Sequence, residues 1–168
     1  MKKALVLYHS LYGNTRAVAM SLAAGIREVG VETDCLGIDE VDMEQIPSYG
    51  LIAIGGPTHI LRPSKDMKEF LQKLKALDLR GRAGFAFDTR NHSRMNSRSL
   101  LMLENSAARS IESSMKRCKI RMIMPRESAI VEGREGPLDI GVEERFFEIG
   151  KELGRFLAPQ IAPKSVND

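Results

Sequence analysis

Short apolar runs closed by turn chemistry, each followed by a helical stripe, restrict this chain more than any other feature. ALVLY at 4–8 and LIAIGG at 51–56 are the clearest; GFAFD at 84–88 reads the same way, and IRMIM at 120–124 adds a strand with a more exposed face. Unbroken apolar character over five or six residues is what strands buried on both faces of a parallel sheet require. VETDCL at 31–36 alternates with period two and suits an outer strand. Between the runs, apolar residues recur every three or four positions: Val18, Leu22, Ile26 and Val29; Met67, Leu71, Leu74 and Leu77; Ile111, Met115 and Cys118; Val142, Phe146, Ile149, Leu153 and Phe156. Each set marks one buried helical stripe. Residues 38–49 leave room only for a short helix. Five β/α units joined by right-handed crossovers predict a three-layer α/β fold. Its centre is a doubly wound, five-stranded parallel sheet in the order 2-1-3-4-5.

The length of 168 residues, with 43% hydrophobic and 28% charged, suits one domain over 1–158 and a fraying tail over 159–168 that contains Pro159 and Pro163. No run approaches a membrane span, and MKKALVLYHS turns polar too early for a signal peptide, which points to a soluble, cytoplasmic protein. Cys35 and Cys118 are too few for a cluster or a disulfide framework and read as buried apolar thiols. The net charge of +3 hides an asymmetry. Residues 80–126 carry eleven Lys and Arg against Asp88, Glu104 and Glu112, so this segment is near +8 and the rest near −5. Such polarity steers an anionic ligand or acidic partner, or simply solvates a face. Nucleic acid is disfavoured, since no binding motif accompanies the charge. Two connections are long, 89–105 and 125–139, and SAIVE in the second can return to the last strand.

In open sheets of this kind, ligands sit beyond the carboxyl ends of the strands where chain order reverses, here between strands one and three. That places a site among HSLYGNTR at 9–16, GGPTHILRPS at 55–64 and DTRNHSRMNS at 88–97. A helix opening near Asn14 and Thr15 offers unpaired N–H groups and about half a positive charge. With the hydroxyls of Ser10 and Thr15 and the Asn14 amide, that end accommodates a phosphate; the plainer alternative makes Ser10 or Asn14 an N-cap and Gly13 a turn glycine. GxxxxGK[ST] and GxGxxG are both absent, which removes triphosphate and dinucleotide loops. YHS and GGPT lack the acids of a phospho-receiver, and neither cysteine begins the Cys-x5-Arg loop of a low-molecular-weight tyrosine phosphatase.

The pattern [ST]xxGNT after strand one, GGPT after strand three and a polar loop after strand four, read together, resembles the flavodoxin-like family of flavin mononucleotide (FMN) proteins, over about residues 3–158. The resemblance implies FMN as cofactor and an electron-transfer role. It also implies that Ser10, Leu11, Tyr12, Gly13, Asn14 and Thr15 hold the phosphate. Pro57, Thr58, His59 and Ile60 would line the ribityl chain and one flavin edge, and Asp88, Thr89, Arg90 and Asn91 would meet the ring. The partner is then a redox protein, acidic in view of the basic loop, or a phosphate-bearing nicotinamide; an NAD(P)H-dependent reductase and an interaction module without flavin are the alternatives.

Three departures from the family pattern stand out. The chain has no Trp, so His59, His92, Ile60 or Leu61 would replace the usual ring-flanking aromatics. THIL lacks the glycine that flips beside the ring, and positive φ costs another residue about 1 kcal/mol, so the one-electron-reduced flavin should be less favoured. Arg90, Arg94 and Arg98 give the third loop a basic character, or pair locally with Asp88 and Glu104. LLML at 100–103 would cover the flavin, meet another subunit in a homo-oligomer, or form a short helix, and Asn105 or Ser106 would cap the helix after it.

Overall fold

The computed structural model describes residues 3–59, 62–91 and 106–158. Strand β1 (Ala4–Tyr8) leads through a tight turn into α1 (Asn14–Glu28) and β2 (Thr33–Gly37). A single 3₁₀ segment (Met43–Ser48) precedes β3 (Leu51–His59), which pairs with the two-residue β4 (Arg62–Pro63) before α2 (Lys65–Leu74). Then come β5 (Ala83–Asn91), α3 (Ala107–Arg117), β6 (Arg121–Met122), β7 (Glu127–Val131) and α4 (Val142–Leu157). The sheet runs β2-β1-β3-β5-β6, with β7 also on β5, and the pairings among these strands are parallel. The expected order 2-1-3-4-5 is therefore present, its fifth position shared by β6 and β7.

That division is the main difference from the expected fifth strand at 120–124. The pair Gly84↔Met122 is followed by Phe87↔Glu127, so residues 123–126 oppose only Phe85 and Ala86. Pro125 has no N–H to give the ladder, which favours such a bulge at a sheet edge. SAIVE does return to the sheet, as residues 128–131 of β7.

Strand residues alternate between two cores. Val6, Ala53, Phe85, Phe87 and Ala129 face α1 and α4, where Val18, Leu22, Phe146 and Leu153 are fully buried. Leu5, Leu7, Ile52, Ile54 and Ala86 face α2 and α3, against Met67, Leu71, Ile111 and Met115. Burial on both faces explains why these strands read as continuous apolar runs. The α1–α4 crossing is tight because Gly25 and Gly150 meet there: a Cβ on Gly150 would lie 2.1 Å from the Leu22 carbonyl oxygen. Several stripe residues fall beyond the helices they were expected in, among them Val29 and Cys118 at the C-caps of α1 and α3. Leu77 lies beyond the end of α2, and Phe156 stays 37% exposed beneath the Arg121 guanidinium, 5.0 Å from the ring centroid.

Candidate functional site

The carboxyl end of β1 continues straight into the predicted corner. His9 N–H donates to the Gly55 carbonyl at 3.0 Å, keeping the chain against β3 for one further residue. The turn then closes on itself, Gly13 N–H donating to Ser10 Oγ at 3.1 Å, and Gly13 adopts φ 91° at the N-cap of α1. That left-handed conformation is where glycine is favoured and lets the helix start abruptly. The first intrahelical bond is Ala17 N–H to the Gly13 carbonyl. The N–H groups of Asn14, Thr15 and Arg16 precede it and find no acceptor within the helix.

What surrounds those donors distinguishes α1 from its counterparts. The 3₁₀ segment is capped by Asp42 with Glu44 behind it, α2 by Ser64 with Asp66, and α3 by Ser106; α4 has Glu143 and Glu144 in its first turn. Among the described helices only α1 has neither a side-chain cap nor an acid there, and it places Arg16 at the positive end of its dipole. Left to the protein alone, that charge pattern is unfavourable by a few tenths to about 1 kcal/mol. An anion at this end satisfies the donors and reverses the sign. Neither Ser10 nor Asn14 is the N-cap.

Several expected phosphate or flavin ligands have their side chains committed elsewhere. Asn14 Nδ2 donates to the Glu135 carbonyl at 3.1 Å, tying the corner to the loop after β7. Gly136 is needed at that contact, since a Cβ there would approach Asn14 Oδ1 to 2.9 Å and φ is 117°. Thr15 is buried, its hydroxyl 2.8 Å from that of Thr89. Thr58 Oγ1 donates to Asp88 Oδ2 at 2.7 Å and accepts from Ala107 N–H at 3.0 Å. Ser10 stays partly open, while Leu11 and Tyr12 are exposed beside the turn.

The expectation that residues 88–91 form a ring-side loop is corrected. They are the last four residues of β5, held in the sheet by Asp88↔Ser128, Thr89↔Ala129, Arg90↔Ile130 and Asn91↔Val131. The strand continues because β7 supplies it with a partner. Asp88 has no exposed surface. Its carboxylate accepts from Thr58, from Ala108 N–H at 3.3 Å and from Arg90 Nη2 at 3.1 Å. Asp88 thus fixes the start of α3 and the end of β3. Of the other ring-side candidates, Pro57 is half-buried at the end of β3 opposite Thr89, and His59 closes that strand against Arg62. Ile60, Leu61, His92, Arg94, Arg98, the LLML run, Asn105 and the tail from 159 lie outside the described residues.

Two features of the corner were missed. The loop at 132–136 reaches Asn14, and its clue was only the glycine-rich spacing of VEGREGP. His9 carries no motif signal of its own. Its Nε2 is buried without a hydrogen-bond partner among the described residues and lies 3.7 Å from Asp66 Oδ2, too long for a hydrogen bond.

The fold is a doubly wound parallel sheet whose switch point carries an uncapped, acid-free helix start, the kind of position where open α/β sheets in general bind ligands. The family model for flavodoxin matches residues 6–99, and the chain belongs to the flavodoxin family. It is 31% identical over 90 residues to a flavodoxin of Clostridium saccharobutylicum, covering 53% of this chain and 56% of that protein. It is 33% identical over 101 residues to an NAD(P)H dehydrogenase (quinone) of Cupriavidus metallidurans, covering 48% and 51%. The chain spans about half the length of these curated relatives. Among solved structures, a flavodoxin from the domain Archaea has a TM-score of 0.76 at 20% identity over 92% of this chain and 98% of that one. The flavodiiron protein of Giardia intestinalis has 0.73 at 23% over 97% and 38%. At such identities the likeness concerns the fold. No described helix is long and apolar enough to cross a membrane.

Proposed function

We propose that this chain is an FMN-binding electron-transfer protein, with the cofactor phosphate on the N-terminus of α1 and electrons exchanged with a redox partner protein. The observation that carries the reading is the start of α1: three N–H groups without helical acceptors, a left-handed Gly13, no acid in the first turn, and Arg16 within it. This donor set fits a phosphate dianion, which needs several N–H groups and tolerates no nearby carboxylate. When bound, the flavin supplies the redox chemistry.

The chain's own residues would then act as holders. Ser10 fixes the turn through Gly13 N–H, Thr15 anchors the first helical turn to β5 through Thr89, and Asn14 ties the corner to residue 135. Asp88 and Thr58 hold β3 and α3 in fixed relation, so the ring side would have a rigid wall where residues 57–59 end β3. Backbone groups, more than the committed side chains of Thr58 and Asp88, would contact the ligand there.

The test is the absorption spectrum of the purified protein with the released flavin identified, followed by calorimetric titration of the flavin-free protein with FMN and with riboflavin. FMN is expected to bind at least about a hundredfold more tightly, since the phosphate supplies the main contact. Equal affinities would refute the placement. A second reading, a two-electron reductase accepting electrons from a phosphate-bearing nicotinamide, is favoured by the similarity to NAD(P)H dehydrogenases (quinone). Rapid bleaching of the flavin band by NAD(P)H alone supports the reductase; no bleaching supports the carrier.

A further inference from the structure

The basic segment at 80–126 is only partly explained by the cofactor corner, because much of its charge gathers at the opposite end of the sheet. Leu79 N–H donates to the Cys118 carbonyl at 3.0 Å, which brings the loop carrying Arg80 against the end of α3 and Arg117. Arg121 N–H donates to the Arg82 carbonyl at 2.9 Å, and the Arg121 guanidinium covers Phe156 beside Arg155. Arg80, Arg117, Lys119, Arg121 and Arg155 are all exposed on this end. Arg80 pairs with Asp78; the other four meet no carboxylate among the described residues. β5 spans nine residues, so at about 3.3 Å per residue this pole lies roughly 25 Å from the carboxyl ends of the strands.

Lys119 adds an independent observation. It is the one described non-glycine residue with positive φ, at 67°, and it occupies the position after the Cys118 C-cap where Ile120 N–H returns to the Met115 carbonyl. Glycine is the usual occupant of that position, and a lysine there carries backbone strain. The strained residue is an exposed cation between Arg117 and Arg121 in the chain, and unusual backbone retained at a surface is a pointer to function.

We propose that this end of the sheet is a docking surface for an acidic folded protein, engaged separately from the cofactor corner and independent of what that corner binds. Arginines outnumber lysines in the cluster and surround one half-exposed aromatic, the composition of protein-interface anchors. Arg121 is seated on a ring and its backbone is tied to Arg82, so the charges are presented in a preset arrangement that suits fixed carboxylates better than a fluid lipid surface. A single exposed aromatic is a poor stacking platform for nucleic acid.

The test titrates the full chain with three probes: a helical peptide bearing a glutamate face, phosphatidylserine–phosphatidylcholine vesicles, and a DNA duplex. The glutamate peptide is expected to bind most tightly, and to weaken as salt shortens the screening length to below about 10 Å. Arg117→Glu/Lys119→Glu/Arg121→Glu should weaken it at least about tenfold. Lys65→Glu/Lys68→Glu/Lys151→Glu, with the same net charge, should not. Lys119→Gly relieves the strained backbone, so weaker binding together with an undiminished melting temperature cannot come from misfolding. Equal loss in both triple variants, unchanged binding in Lys119→Gly, or tighter binding to vesicles or duplex would each overturn the proposal.

Discussion

Replacing Asp88 with alanine should destabilise the protein more than most single changes to its surface or loops. The carboxylate has no exposed area and receives hydrogen bonds from the Thr58 hydroxyl, the Ala108 N–H and the Arg90 guanidinium, whose own side chain is only 13% exposed. The substitution leaves a buried hydroxyl, a helix N-terminal amide and a nearly buried cation without this acceptor. Removing one member of a buried pair costs about 3–5 kcal/mol, mostly from the charge left behind. For a chain of this size each kcal/mol corresponds to about 2–4 °C, so the melting temperature should fall by roughly 6–20 °C. Asp88→Asn should cost less, because the amide oxygen still accepts one bond. Asp88→Asn/Arg90→Met should recover part of the loss, because the cation that faced the Asp88 carboxylate is removed with it. Thermal and urea unfolding give the energies, and hydrogen exchange at Ala107 and Ala108 reports whether the start of α3 loosens first. A loss of less than about 1 kcal/mol in Asp88→Ala, with unchanged exchange at those amides, would refute the role assigned to Asp88.

Gly150→Ala should cost about 1–3 kcal/mol or more in urea unfolding, since its Cβ would meet the Leu22 carbonyl oxygen at 2.1 Å and two packed helices must part; a neutral result would contradict the tight crossing. Glu112 supplies a pH dependence. Burial pushes its carboxyl up, but hydrogen bonds and charge from Lys116 and Arg126 outweigh that and hold it below the usual carboxylate range. A lowered folded-state pKa stabilises the protein above the unfolded-state pKa, and that contribution disappears as pH falls through the folded value. Stability should therefore decline below about pH 4 more steeply in the wild type than in Glu112→Gln. Burial pushes the Cys35 thiol up to about 11 despite Arg27 and Arg16. Its alkylation by iodoacetamide at pH 8 should be on the order of a hundredfold slower than that of a free thiol, and a comparable rate would show the thiol to be open.

The fold was legible because its signals are local and repeated. Apolar runs of strand length and stripes at helical spacing report burial residue by residue, so order, layers and the location of the switch point follow from the chain. The candidate corner was legible for the same reason: a turn rich in small polar residues stands between a strand and a helix. Edge details were less legible. Pro125 divided the fifth strand, and β7 drew Asp88 to Asn91 into the sheet, so a polar stretch that reads as loop is strand. Thr58, Thr15 and Asn14 have the chemistry of ligands, and only their neighbours reveal that those groups are already engaged.

The sequence by itself determined the parallel sheet, the two cores and the helix start at the switch point, since period and turn chemistry belong to contiguous residues. Tertiary structure decided which polar groups remain available there and where the surplus positive charge collects. The contacts responsible, such as Thr58 to Asp88 or Arg121 to Phe156, join residues 30 and 35 positions apart, and no local pattern encodes them.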